Sequence, residues 1–131
     1  MTGAMTIQDD RMVRKFCQTY YKAFDSRRDK LIYLFQAMEN EMATYPAFTF
    51  NGTHVVGANQ IQGFLHLLGD TEHEMISLSP QHLQTQPGKF LICVTGNVSV
   101  VNGMHHFFSE SMVTTLEDDR LRILSTNYRL F

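Results

Sequence analysis

Apolar residues recur at helical intervals near the start of the chain, at Met12, Val13, Phe16, Tyr20 and Phe24. That spacing predicts a helix beginning at Asp9, with Asp9 or Asp10 as its cap. Asp25-Ser26 ends it, and Leu31, Leu34, Phe35 and Met38 predict a second, shorter helix packed against the first as a corner. Ala47–Phe50 and Thr53–Val56 flank Asn51-Gly52 and read as a tight hairpin. Gly57 opens a third helix with Ile61, Phe64, Leu65 and Leu68 on its apolar face, and Gly69 stops it.

The pattern then changes from helical spacing to alternation. Strands are predicted over Glu74–Gln84, Lys89–Val101, His105–Leu116 and Leu121–Leu130. Turns fall at Gln86-Pro87-Gly88, Asn102-Gly103 and Glu117-Asp118-Asp119. In the last three strands one parity is bulky: Phe90, Ile92 and Val94, then Phe108 and Met112, then Leu124, Thr126 and Tyr128. The other parity holds Leu91, Cys93, Thr95 and Asn97, then Ser109 and Ser111, then Ile123, Ser125, Asn127 and Arg129. Successive strand residues face opposite ways, so the bulky set lines a core. The smoother set meets solvent or another protein.

Helices segregated from a run of strands indicate an α+β layer domain. The expected architecture is three helices packed in the concave face of a strongly curved, mostly antiparallel sheet. Phe50, Tyr128, Phe108, Met112 and Glu110 would then line the inside of the cone.

Composition narrows the classes. The 131 residues, 44% of them apolar and 18% charged, suit one globular domain. We expect it over residues 9–131, after a short flexible leader at residues 1–8. A net charge of -2 gives no basic stripe for nucleic acid. Arg27-Arg28 and Lys30 are interrupted by Asp29 and preceded by Asp25, which reads as a solvated helix start. The longest apolar runs, such as Leu31–Phe35, are far short of the roughly 20 residues that span a bilayer. Met1–Asp10 lacks the basic and apolar regions of a secretory signal.

Candidate chemistry is sparse. Cys17 and Cys93 have no metal-ligand spacing and read as reduced thiols. His105-His106 is the only adjacent histidine pair, and neighbouring strand residues cannot chelate one ion. No glycine-rich phosphate loop and no GxSxG elbow occurs, so no cofactor is expected. Glu110 is the best single acid–base candidate, because a carboxyl among apolar neighbours has a raised pKa. His106, Asp25 and His66 are further options. No motif places a second polar group beside Glu110, and its plain reading is a strand-end or edge carboxylate.

Four stretches carry a family resemblance: Tyr20-Tyr21-Lys22-Ala23-Phe24-Asp25 with Arg27-Arg28, Thr49-Phe50-Asn51-Gly52 with Val56-Gly57, Val94-Thr95-Gly96-Asn97-Val98, and Asn127-Tyr128-Arg129-Leu130. In this order they resemble nuclear transport factor 2-like domains over about residues 12–130. Within that family the chain is most similar to the export-protein branch, whose members pair with a larger mRNA export receptor carrying a second domain of the same fold. The importer branch, which carries Ran-GDP as a homodimer, is the alternative, and a small-molecule enzyme or binding protein of the same fold is the third reading. Its Ran-binding carboxylates correspond to Asn51, Val101 and Gly103 here, so all three charges are missing. That argues against Ran-GDP as a partner. The link Ala37–Ala47 is longer than is usual in the family.

The resemblance implies a non-enzymatic transport adaptor of the nucleus, nuclear pore and cytoplasm. It implies no cofactor, no direct nucleic acid and no membrane. It also implies phenylalanine-glycine nucleoporins as partners, with Phe16, Tyr20 and the second helix as candidate groove walls. Arg129 corresponds to an arginine that pairs with an aspartate of the export receptor. Its parity places it with Asn127, Ser125, Ser111, Ser109, Cys93 and Thr95, an expected partner interface across which two sheets can approach to about 10 Å. The plain alternative is an exposed arginine. Phe50 and Tyr128 correspond to aromatics that hold a Ran side chain in the importer, and core packing is their plain reading.

Overall fold

The computed structural model describes residues 5–36 and 45–131. Residues 1–4 of the expected leader and most of the Ala37–Ala47 link lie outside the described residues.

Helix α1 runs over Ile7–Ser26, so helix begins inside the expected leader. Its cap is Thr6 rather than Asp9 or Asp10. Thr6 Oγ1 accepts the Asp9 amide at 2.9 Å, and Asp9 Oδ2 accepts the Thr6 amide at 3.3 Å. Two orphan amides at the helix start are thereby satisfied. Val13, Phe16, Cys17, Tyr20, Tyr21 and Phe24 form its buried face. The expected second helix is shorter, with α2 over Arg28–Leu31 and a 3-10 turn over Ile32–Leu34. The chain leaves helical geometry at Phe35, where it bridges Ile123 as an extra strand-like contact. Met38 lies outside the described residues.

The hairpin forms with β1 over Ala47–Phe50 and β2 over Thr53–Val56. Asn51 and Gly52 take φ of 46° and 89°. Positive φ at both central residues matches the twist of a hairpin and favours Asn-Gly. Helix α3 covers Ala58–Leu67, with Gly57 as its N-cap at φ 91°. Strands β3 (Glu72–His82), β4 (Lys89–Ser99), β5 (His105–Glu117) and β6 (Arg120–Leu130) complete the domain.

The described strands form one sheet in the order β2-β1-β6-β5-β4-β3. Pairing is antiparallel except between β1 and β6, which run parallel. The fold is thus three helices against a six-stranded curved sheet, as expected. The core cluster joins α1 to Phe90, Ile92, Val94, Phe108, Met112 and Tyr128 on the bulky parity of the sheet.

Two irregularities set what faces where. Between Val113↔Ser125 and Thr114↔Ile123 the register slips, leaving Leu124 as an extra residue in β6. A bulge of this kind reverses parity. Ile123 therefore joins the core cluster, which corrects its expected place on the smooth face. In β3 a second slip leaves Ile76 between Met75 and Ser77, and its side chain is exposed. Gly96 faces Phe108 across β4 and β5. A Cβ there would meet the Glu74 carbonyl oxygen at 2.0 Å and Phe108 Cε1 at 2.9 Å. Only glycine permits that approach.

Candidate functional site

The outer face of the sheet is built by register. Thr95 pairs with Ser109 and Ser109 with Arg129. One step along, Cys93 pairs with Ser111 and Ser111 with Asn127. Ser125 opposes Val113 one step further. Directly paired residues share a face. The seven positions expected to form a partner interface are therefore one contiguous patch. Arg129, Asn127, Ser111 and Thr95 are exposed, while Ser125, Ser109 and Cys93 are half-buried. Ser77 and Ser79 extend both rows onto β3, and Ser77 bonds Thr95 through their hydroxyls.

The rows are flanked by apolar groups, of which the expected smooth set includes only Leu91. Phe107 shares the parity of Ser109 and is 65% exposed. Phe131 follows β6, donates its amide to the Phe107 carbonyl and is 68% exposed. Leu91 and Val113 pair at the other end of the patch. Small polar rows between apolar margins let a second sheet approach closely and then seal its edges. Parity alone would have placed Phe107 there, since it alternates with Phe108.

Beneath the opposite face lies a buried polar network. Glu110 is not an edge carboxylate: it sits mid-strand in β5 and is 1% exposed. Three hydroxyls point at it, Tyr20 at 2.6 Å, Tyr21 at 2.8 Å and Thr126 at 2.5 Å. Burial raises its pKa, and the hydrogen bonds from Thr126, Tyr20 and Tyr21 pull back without cancelling that rise. The same burial, together with the Glu110 charge, pushes both tyrosines well above their ordinary range. The second polar partner that the sequence could not supply is thus present three times over.

Asp25, at the end of α1, organises a second group. Its carboxylate accepts Thr71 Oγ1 at 2.7 Å, the His73 amide at 2.7 Å and His73 Nδ1 at 2.5 Å. Burial pushes its pKa up, but these hydrogen bonds from His73 and Thr71 outweigh it and the net shift is downward. His73 Nε2 lies 2.6 Å from the Tyr128 hydroxyl. In the neutral tautomer that donates from Nδ1 to Asp25, Nε2 accepts that hydroxyl proton. Arg28 donates to the carbonyls of Phe24 and Leu68 and to Thr71 Oγ1. The Asp25 and Arg28 of the helix-end motif are therefore a latch that fixes α1 to the start of β3.

Tyr128 stacks on Phe50, with ring centroids 5.1 Å apart, and both wall a pocket of about 130 Å³. Phe24, Leu68, Val100 and Leu130 complete its apolar lining. Phe108, Met112 and Glu110 do not line this pocket and are buried. The volume is close to the roughly 150 Å³ apolar cavity that admits benzene. Asp70 and Thr71 stand at its mouth and lead onto an open shelf with Asp25 and Glu72. Asn51 is occupied nearby, its Oδ1 accepting the Leu130 amide at 2.8 Å.

Two of the acid–base groups are shut away from solvent, whereas Asp25 reaches the open shelf. The His73 side chain is fully enclosed, its Nε2 is capped by Tyr128, and Glu110 lines none of the described pockets. Of the other candidates, His106 bonds the Phe131 carbonyl and His66 contacts Gln62. Tyr20 is fully buried and so is no groove wall, whereas Phe16 borders a groove beside α1. His105 pairs with Ser99, away from His106. Among the described residues no three His, Cys, Asp or Glu side chains gather in a way that could hold a metal ion. No described helix is long and apolar enough to cross a membrane.

A curved sheet of this order with three helices in its concave face defines a known class of small α+β domain. The sequence matches the nuclear transport factor 2 (NTF2) domain over residues 12–130, and the chain belongs to that family. It is 26% identical over 121 residues to the NTF2-related export protein of Caenorhabditis elegans, spanning 88% of this chain and 83% of the worm protein. Its fold superposes on Ntf2 from Cryptosporidium parvum with a TM-score of 0.80 at 21% identity, covering 97% of this chain and 98% of that one. A chain of the C. albicans Mtr2-Mex67 M domain complex matches with a TM-score of 0.71 at 13% identity, covering 92% and 94%.

Proposed function

We propose that this protein is a non-enzymatic nucleocytoplasmic transport adaptor. It pairs through the outer sheet face with an mRNA export receptor that carries a second domain of the same fold. The pair supports passage through the nuclear pore by contact with phenylalanine-glycine nucleoporins, and the protein moves between nucleus and cytoplasm. The observation that carries this reading is the patch itself. Two rows of small polar side chains end at the exposed Arg129 and are bounded by Phe107, Phe131, Leu91 and Val113. The likeness to an export protein and to a chain from a two-protein complex supports it. Arg129 offers a planar, bidentate donor that fixes the orientation of a carboxylate-bearing partner.

The test is affinity purification of the tagged protein from its own cells, followed by mass spectrometry. The expected result is stoichiometric recovery of a large protein with an NTF2-like domain, lost in Arg129→Asp. Recovery of Ran without such a protein overturns the reading.

A second reading, the homodimeric importer of Ran-GDP, is favoured by one observation. The apolar pocket between Phe50 and Tyr128 has Asp70 at its mouth, with Asp25 and Glu72 on the adjoining shelf. These carboxylates differ from the three family positions replaced by Asn51, Val101 and Gly103. Titration of Ran-GDP into the purified protein separates the two readings, because the adaptor gives no saturable binding.

A further inference from the structure

One hydroxyl on the outer face is set apart from the rest. Of the three prolines, at positions 46, 80 and 87, only Pro80 follows a serine or threonine. That residue is Ser79, which is exposed on β3. It pairs with Cys93 and so belongs to the row that continues through Ser111 to Asn127. Ser77, two positions earlier, is tied to the Thr95 hydroxyl. Among the described residues no hydrogen bond engages the Ser79 hydroxyl.

The backbone around Ser79 is open as well. β3 ends the strand order, so one edge of it has no neighbouring strand. Pro80 fits there, because an edge strand can forgo one amide donor. Among the described residues, no backbone hydrogen bond from outside the sheet reaches residues 77–81. An unpaired edge offers its amides and carbonyls to an incoming chain. Pro80 adds a recognition element, since it leaves no amide N–H for an enzyme to satisfy directly after the acceptor residue.

We propose that Ser79 is a phosphorylation site for a proline-directed protein kinase, and that a phosphate there closes the outer face to its partner. In the transfer, Ser79 Oγ attacks the γ-phosphorus of MgATP. The new O–P bond forms as the bond to ADP breaks, and the hydroxyl proton passes to a base of the kinase. The product carries about -1.5 to -2 charges near pH 7. No cation of this face stands close enough to pair with it. Arg129 lies three strands from β3, about 14 Å at strand spacing, and in the neighbouring row. Lys89 lies four residues along β4 from Cys93, a similar separation, and donates to Gln86. A second sheet docking at about 10 Å would bury the phosphate without a counter-charge from this chain. The closing of the face rests on the docking reading above, whereas the modification itself does not.

The test has two arms. In the first, the isolated chain is incubated with a recombinant proline-directed kinase and MgATP, and mass spectrometry locates the label. One phosphoryl group is expected at Ser79, lost in Ser79→Ala and Pro80→Ala but kept in Ser77→Ala. Labelling of a synthetic peptide of residues 74–85 with none in the folded chain overturns the site, as does labelling that spares Ser79. In the second arm, the phosphorylated chain is titrated against the NTF2-like domain of the receptor recovered from cells. Affinity is expected to fall at least about tenfold, with an unchanged urea midpoint. Prior binding of that domain should block labelling, as linkage between the two events requires. Undiminished affinity overturns the closing of the face. A lowered midpoint does so too, because the phosphate would then act by unfolding the domain. If the unmodified chain binds no such domain, the docking reading and the closing fall together, while the first arm still decides the site.

Discussion

Replacing Glu110 separates its role as a hydrogen-bond hub from the cost of burying its charge. Glu110→Leu fills similar volume but removes the acceptor for three hydroxyls. Those of Tyr20, Tyr21 and Thr126 would be left in a core where the three residues are 0%, 4% and 3% exposed. An unsatisfied buried donor costs about 1–3 kcal/mol. Three of them, partly offset by removing the desolvated carboxyl, give a loss of roughly 3–6 kcal/mol. That is a large part of the roughly 5–15 kcal/mol that holds a domain together. Glu110→Gln keeps one acceptor, and the hydroxyls can turn to accept from its amide. It should cost less than about 1 kcal/mol near pH 5.

The pH dependence carries the sign. Glu110 has a folded pKa raised above its unfolded value. Its contribution is therefore complete below the unfolded value and is lost as pH rises through the folded one. The Gln variant has no such loss, so its stability relative to the wild type must improve from about pH 5 to about pH 8. Urea denaturation of the three proteins at both pH values measures this, with unchanged m-values confirming two-state behaviour. A Leu variant within about 1 kcal/mol of wild type would refute the hub, because the hydroxyls would then have other partners. A gap between Gln and wild type that is flat with pH would refute the raised pKa.

Two further outcomes follow from the packing. Gly96→Ala should destabilise the domain by at least about 1–3 kcal/mol in urea denaturation. Trimming Phe108 should not rescue it, because the 2.0 Å contact is with the Glu74 backbone oxygen. The Cys17 thiol is pushed up to about 12 by burial and by the Glu110 charge. At mildly alkaline pH a thiol reagent should therefore label Cys93 first, and a partner bound on the sheet face should protect Cys93 while Cys17 stays silent throughout.

What could be read from the sequence was whatever local periodicity encodes. The Asn51-Gly52 turn, the α1 face and the smooth parity of β4 to β6 depend on neighbours only a few positions away. The β3 to β6 order and the contiguous patch then followed from antiparallel register, whereas β1 joins β6 in parallel. The Asp25–His73–Tyr128 chain joins residues 48 and 55 positions apart, and no local pattern marks His73 as its centre. Glu110 looked like an edge residue because its enclosure comes from α1 docking, which brings Tyr20 and Tyr21 over it across 90 and 89 positions. The β6 bulge hid the core role of Ile123, since one extra residue reverses every parity assignment before it. The motifs that carried the family resemblance have structural reasons in the fold: Gly96 admits the Phe108 ring, and Asp25 with Arg28 latches the helix end.

The most direct test of the adaptor account is calorimetric titration of this protein with the NTF2-like domain of the receptor it recovers from cells. The account predicts tight one-to-one binding and a loss of at least roughly 30-fold in Arg129→Asp, as expected when one member of a desolvated charge pair is reversed. Binding that ignores Arg129→Asp would contradict it, as would a stable homodimer that excludes the receptor domain.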